Sequence, residues 1–157
     1  MLPDRIKSYL LRDLEVTPDL LDRLLGEVTD PAVYDRRPDP ERFTLREVLA
    51  HLADWEAVFL QRLRQTLAQD NPALIGLDEW QLALDRDYAH ADPAECRVRF
   101  RRGRQELLAA LRGVTPGQWE RVGIHSEIGP VSVETQAVMI ASHDGYHLQQ
   151  ILEWLRA

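Results

Sequence analysis

Two histidines near the carboxyl end of the chain have the residue type and spacing of a metal-binding pair. His143 and His147 lie four residues apart in the segment HDGYH. Residues four apart on an α-helix share one face, so the two imidazoles are expected to project side by side. Burying two imidazoles that have no partner is costly. The spacing therefore favours a pair of metal ligands, with two histidines that merely pack in the core as the alternative.

A third histidine lies in an earlier helical segment. His51 flanks the apolar stripe of that segment, between Val48 and Trp55. Three imidazoles from two facing helices could converge inside a helical bundle, where such proteins build metal sites. Three neutral imidazoles suit zinc, iron, nickel or copper and leave coordination positions for water or substrate. An open site of this kind is typical of catalytic metal centres.

The segment HDGYH differs from the zinc-protease motif H-E-x-x-H in two ways. Asp144 replaces the glutamate that acts there as the general base, and its side chain is one methylene shorter. Ten residues follow His147, and Glu153 is the only carboxylate side chain among them, so we expect no downstream third ligand. Di-iron bundles need Glu-x-x-His pairs, and the sequence contains none. Both classes are therefore set aside.

The elements that must position these histidines are helices. Apolar residues recur at helical spacing almost throughout the chain, and the alternation typical of strands is hard to find. Thr44 and Glu47 form a capping box that predicts the start of the helix carrying the first histidine, and this helix is expected to end near Gln69. The last helix, with the histidine pair, is predicted over about residues 133–155.

Two further main helices are predicted earlier in the chain and in its middle. The first covers about residues 4–14, and Thr17-Pro18 predicts a break followed by a second helical piece. Asp92-Pro93 repeats the cap-plus-proline signal and begins a helix that ends near residue 112. A shorter helix is expected around residues 78–90.

The connections complete this picture. The length of the segment QDNPALIGLDEW favours a crossover across the bundle, and the glycines and prolines of residues 113–132 predict a loop. No internal repeat or domain linker interrupts the chain. The sequence therefore predicts an all-α fold, a four-helix bundle with a long crossover connection and one or two short extra helices, as a single domain over residues 1–157.

Composition and charge narrow the classes of partner. The formal net charge is −7, with 45% hydrophobic and 29% charged residues, as in ordinary soluble domains. The arginine run RVRFRRGR has helical spacing typical of a solvated face, so we expect no nucleic-acid partner. The charged start of the chain and the lack of an apolar stretch near 20 residues predict no secretory signal and no membrane helix. The single cysteine, Cys96, fits a cytoplasmic location.

The segments FTLREVLAHLADWE and HDGYHLQQI together resemble the DinB-like superfamily of metal-binding four-helix bundles. Members of that family typically have a histidine in the second helix and His-x-x-x-His followed by a glutamine in the last. The match makes His51, His143 and His147 the metal triad and places Gln150 at the trailing glutamine. Gln149 stands where the family usually has a small residue. The resemblance covers essentially the whole chain.

The resemblance implies a homodimer that binds a divalent metal, zinc, nickel or iron, through three histidines with water in the remaining positions. Characterised relatives include transferases and isomerases that use low-molecular-weight thiols. We therefore expect a metal-dependent thiol S-transferase that takes a small-molecule thiol and an electrophile. The alternative is a non-enzymatic metal-binding or stress-response homodimer.

Other side chains near the predicted triad are weaker candidates for chemistry. Asp54, Glu56 and Asp144 are close to the histidines in sequence, and one of them could orient a ligand imidazole or accept a proton. Asp144 is rotated by about a hundred degrees from its neighbouring histidine on a helix, so a solvated role is equally compatible. His125 lies in the predicted loop, from which it could approach the mouth of the bundle.

Overall fold

Four long helices and one short helix form most of the molecule, which confirms the predicted all-α four-helix bundle. The structure is a computed structural model, and it describes residues 2–157. The helices are α1 (Asp4–Gly26), α2 (Leu45–Ala68), α3 (Glu79–Asp85), α4 (Pro93–Arg112) and α5 (Val133–Arg156). The long connection from α2 to α4 contains α3, as the sequence predicted. Helices α1 and α2 each pack against both α4 and α5.

Helix α1 runs through Pro18 without interruption, so the predicted break at Thr17-Pro18 is wrong. Proline has no N–H and cannot donate to the carbonyl four residues earlier, which is that of Leu14. Arg104 of α4 replaces the missing donor, because its Nη1 donates to the Leu14 carbonyl oxygen at 3.0 Å. A tertiary hydrogen bond thus satisfies the acceptor that proline leaves free, and the helix continues.

A small sheet is present that the sequence analysis did not predict. Residues 113–132, expected to be a loop, contain a 3-10 helix and the strands β2 (Val122–His125) and β3 (Gly129–Ser132). A further strand, β1 (Ala73–Leu74), pairs parallel with β2, and β2 pairs antiparallel with β3. These strands are too short for alternation to be detected. The sheet ties the long connection after α2 to the segment that leads into α5.

The core consists of two apolar clusters with a polar layer between them. One cluster includes Leu49 and Ile151, and the other includes Leu63 and Ile140. Between them on α2 and α5 lie buried polar side chains, namely His51, Asp54, Glu56, Asp144 and His147. Buried polar groups need partners, so the side chains of this layer must be paired with one another or with a ligand.

Among residues 2–157, no helix has both the length and the apolar character that crossing a bilayer requires.

Candidate metal centre

Three imidazoles converge in the polar layer. His51 of α2 faces His143 and His147 of α5, and one candidate ligand atom from each residue lies within 4.8 Å of the others. The ring centroids are 5.0 Å apart for His51 and His143, 4.7 Å for His51 and His147, and 4.5 Å for His143 and His147. The structure thus brings together the three residues that the sequence singled out.

The start of α2 fixes the position of His51. Thr44 accepts a hydrogen bond from the Glu47 backbone N–H, and the Glu47 carboxylate accepts one from the Thr44 N–H at 2.7 Å, which confirms the predicted capping box. Immediately before the cap, the Phe43 carbonyl accepts from Gln150 Nε2 at 3.1 Å and from Trp154 Nε1 at 2.9 Å. These contacts join the beginning of α2 to α5, which carries the other two histidines.

Gln150 orients one imidazole of the triad. Its Nε2 donates to the Phe43 carbonyl, so its Oε1 faces His147 Nδ1 at 3.1 Å. An amide oxygen can only accept, and His147 Nδ1 is therefore the protonated nitrogen of that ring. The lone pair of His147 consequently lies on Nε2. Hydrogen bonds of this kind fix the tautomer and orientation of metal-ligating histidines.

Burial keeps the three imidazoles neutral. The pKa is lowered to about 2 for His51, about 3 for His143 and about 4 for His147. Loss of hydration on burial is the largest cause in each case, and repulsion from neighbouring charges acts in the same direction. A neutral imidazole has one unprotonated nitrogen with a lone pair, the form that ligates metals. These donors, converging in a buried layer, fit a divalent transition metal.

Two ring nitrogens remain without partners. His51 Nδ1 and His143 Nδ1 are buried and have no hydrogen-bond partner among the described residues. The Nε2 atoms of the same rings face each other at 2.9 Å. Buried polar atoms without partners are unusual in native proteins and call for an explanation such as a bound ion or water. The facing Nε2 atoms favour a shared proton or a bound cation between the rings, and the two Nδ1 atoms call for an acceptor such as water.

Aromatic rings border the triad, and His143 is its most exposed member. Trp55 lies 5.3 Å from His51 and 5.9 Å from His143, and Phe59 packs edge-on against His143 at 5.3 Å. His51 is 1% exposed and His147 is 4% exposed, whereas His143 is partly exposed. Access to the triad is therefore from the side of His143.

Asp54, one turn beyond His51 on α2, has a network of its own. Its carboxylate accepts from Tyr88 at 3.0 Å and from Arg86 at 2.9 Å, and it also pairs with Arg99. These partners come from the long connection after α2 and from α4. The contacts anchor that connection, and this aspartate makes no hydrogen bond to the triad within the part of the chain that the structure describes.

Glu56 and Asp144 are bound to one buried arginine. Arg104 is 1% exposed and donates to Glu56 at 2.6 and 3.0 Å and to Asp144 at 2.6 and 2.9 Å. The prediction of a solvated arginine run is wrong at this position. Because the guanidinium joins α2 and α5, it fixes the two helices that carry the triad. Sequence reasoning missed this role, although a glycine next to an arginine in a helix interior, Gly103, was a signal of close packing.

Gly103 allows α4 to approach α2 closely. A Cβ atom at this position would lie 2.6 Å from the Glu56 Cβ, a distance at which atoms overlap. The glycine therefore makes room for the Glu56 side chain to reach Arg104. A larger residue here would displace one partner of the buried ion pair.

His125 lies in β2 and lines a narrow cleft next to the triad. The cleft is also lined by Phe59 and Ile140, the residues that border His143 on α2 and α5, and by Arg62. Burial lowers the pKa of His125, and the nearby Arg62 charge lowers it further. His125 Nδ1 accepts from the Glu127 backbone N–H at 3.2 Å. The structure thus places this histidine beside the bundle mouth, in a strand rather than in the predicted loop.

The fold and the triad agree with a comparison against known families. A family model described as the DinB superfamily matches residues 13–151. The chain belongs to the DinB superfamily. The match includes α2 and most of α5, and therefore all three histidines.

Relatives and a solved structure extend this assignment. OB0413 of Oceanobacillus iheyensis is 26% identical over 148 residues, 94% of this chain and 79% of the relative. YfiT of Bacillus subtilis is 25% identical over 151 residues, 96% of this chain and 84% of the relative. Both carry the provisional name of metal-dependent hydrolase. The structure of YfiT, described as an unusual four-helix bundle, superimposes with a TM-score of 0.92 at 24% identity over 99% of this DinB chain and 89% of YfiT, which shows the shared fold.

Proposed function

We propose that His51, His143 and His147 bind one divalent ion, zinc, nickel or iron, and that the protein is a metal-dependent S-transferase for a low-molecular-weight thiol. The observation that carries the proposal is the convergence of three neutral imidazoles, of which His51 and His147 are buried and His143 is partly exposed. Three protein ligands leave coordination positions for a substrate, as in catalytic metal sites.

The side chains around the triad have different roles in this reaction. A divalent ion in this position supplies Lewis acidity, which favours the thiolate form of a bound thiol at neutral pH. Gln150 holds the His147 ring, and Arg104 holds α2 against α5. Trp55 and Phe59 restrict water around the triad. The thiol loses its proton to solvent, its sulfur forms a bond to the electrophilic carbon, and the leaving group departs with the electron pair.

A second candidate is metal-dependent hydrolysis, favoured by the names of the relatives OB0413 and YfiT. In this reaction water takes the place of the thiol at the open side of the triad. A third candidate, metal binding without turnover in a stress-response dimer, requires the same histidines. The three candidates share the metal and differ only in what reacts there.

The experiment that separates them is turnover by metal-loaded protein. Zinc-, nickel- and iron-loaded samples are incubated with a panel of thiols and electrophiles, and conjugates are counted by mass spectrometry. The proposal expects conjugate formation that is lost in His143→Ala. Release of hydrolysed electrophile without conjugate supports the hydrolase instead. No product with either nucleophile supports the binding protein.

The proposal includes a homodimer in the cytoplasm. A second copy could cover a shallow apolar groove between α1 and α5, which is lined by Leu20, Leu24, Leu148 and Leu152. Cys96 is buried and unpaired, and burial raises the pKa of its thiol, so it fits a reducing compartment as an inert side chain. Sedimentation tests the dimer, because a mass near the 18.1 kDa of one chain contradicts it.

A further inference from the structure

Arg62 is a buried arginine that lacks an acidic partner. It is 9% exposed, and its one hydrogen bond from the guanidinium goes from Nη2 to the Ile75 carbonyl oxygen at 2.7 Å. No carboxylate among the described residues lies within ion-pair distance of it. Arg104, which is also buried, pairs with two carboxylates. Arg62 therefore carries a positive charge that is balanced in part by the Ile75 carbonyl and the Trp55 ring and by no carboxylate.

Arg62 lies one aromatic ring away from the triad. Its guanidinium carbon is 5.4 Å from the centre of the Trp55 ring, and the same ring is 5.3 Å from His51 and 5.9 Å from His143. Trp55 Nε1 is a buried donor without an acceptor among the described residues. The region between the triad and Arg62 therefore contains a positive charge and an N–H donor without an acceptor, and both can interact favourably with a negatively charged group.

Few other charged side chains lie near Arg62. His125 lies close enough for the Arg62 charge to lower its pKa. Glu127 attracts Arg62 at longer range, but its side chain is exposed and makes no ion pair with it. The other residues that line the cleft with Arg62 and His125 are mostly apolar, among them Phe59 and Ile140. The cleft thus combines one cation with apolar sides.

We propose that Arg62, with Trp55 Nε1 and His125 beside it, binds the carboxylate of a substrate whose reacting atom lies at the triad. The inference rests on the proposed function and names the substrate class as anionic, carboxylate-bearing thiols with a short apolar spacer. A guanidinium binds a carboxylate through paired hydrogen bonds, and a bound carboxylate supplies the counter-charge that the protein itself does not. Arg62 is then a specificity-determining residue.

Three thiols of similar size and different charge test this proposal. Cobalt-loaded protein is titrated with 3-mercaptopropionate, 2-mercaptoethanol and cysteamine, and binding is followed by the sulfur-to-cobalt absorbance. The carboxylate thiol is expected to bind about tenfold more tightly than the neutral one or better, and the cationic thiol is expected to bind most weakly, as a charged hydrogen bond implies. In Arg62→Met the preference for the carboxylate disappears. Arg64→Met, an exposed arginine on the same helix, keeps it.

The outcomes separate this inference from the proposed function. Equal binding of the three thiols overturns the carboxylate site and leaves the transferase intact. If no thiol binds at all, the proposed transferase function is wrong. The role of Arg62 is then tested by measurements on the metal-free protein. Propionate is expected to raise the melting temperature of the metal-free wild-type protein but not that of Arg62→Met. A variant that melts below wild type, together with no effect of propionate, shows that Arg62 is structural and overturns the proposal.

Discussion

His51 Nε2 lies 2.9 Å from His143 Nε2, although the two residues are 92 positions apart in the chain. Two neutral imidazoles at this distance can share at most one proton between the facing nitrogens, and His147 adds a third ring to the same point. Their Nδ1 atoms have no partners among the described residues to compensate for burial. The arrangement is therefore unfavourable for packing alone and suits a bound cation.

Gln150→Ala is expected to weaken metal binding by about 10- to 100-fold, because the His147 ring loses the acceptor that fixes its tautomer. The measurement is a competition with a chromophoric chelator at neutral pH. Gln149→Ala is the matched control, since that glutamine is exposed and contacts Glu153 instead. Equal metal affinity in the two variants would show that the Gln150 hydrogen bond does not matter for binding.

Arg104→Met is expected to lower the free energy of unfolding by about 3–5 kcal/mol, since it leaves Glu56 and Asp144 buried without a counter-charge. Urea denaturation of the metal-free protein measures the change. Arg112→Met on the same helix removes an exposed ion pair with Glu15 and should cost no more than about 1 kcal/mol. Similar losses in the two variants would contradict the central role of Arg104.

The stability of the metal-free protein should fall as the pH is lowered from about 6.5 toward 5. The three triad histidines have folded-state pKa values of about 2, 3 and 4, below the ordinary value of 6.5, so the unfolded chain binds protons that the folded chain does not. Their neutral forms therefore contribute stability that is complete above pH 6.5 and is lost as the pH falls toward the folded-state values. Each histidine adds a slope of up to about 1.4 kcal/mol per pH unit.

Urea denaturation at closely spaced pH values measures this slope. His143→Leu removes one titrating group and should give a shallower slope over the same range. A slope equal to that of the wild type would show that His143 is not held neutral by burial. Glu56 and Asp144, whose pKa values burial raises, add an effect of the opposite sign at pH values above their ordinary pKa values. The comparison with His143→Leu removes this contribution, because both proteins keep the two carboxylates.

The sequence predicted the helices that carry the triad because their signals are local. The capping box at Thr44 and the cap-plus-proline at Asp92 are interactions within one turn, and the structure has both. Pro18 was misread because the group that replaces its missing hydrogen bond comes from Arg104, 90 positions beyond Leu14. No local pattern contains that information. Strand β1 was missed for a similar reason, since its partner β2 is distant in the chain. Strands β2 and β3 are neighbours in the chain, but they are too short for alternation to be detected.

The candidate site was predictable in part. The spacing of His143 and His147 placed them on one face, and the position of His51 beside the apolar stripe of its helix made it the third candidate, which the resemblance to a family supported. The carboxylates Asp54, Glu56 and Asp144 were candidates for proton transfer because of their position in the sequence, and the structure pairs all three with arginines. Which arginine meets which carboxylate depends on helix packing, and sequence spacing along one helix does not determine it.

The central claim is that the three histidines bind a metal, and metal analysis of the protein purified without a histidine tag tests it most directly. Elemental analysis by mass spectrometry is expected to find about one divalent transition-metal ion per chain in the wild type and far less in His147→Ala. His90→Ala, which removes an exposed histidine, should keep the wild-type content. A content far below one ion per chain in the wild type, unchanged in His147→Ala after incubation with zinc, nickel or iron, would contradict the account.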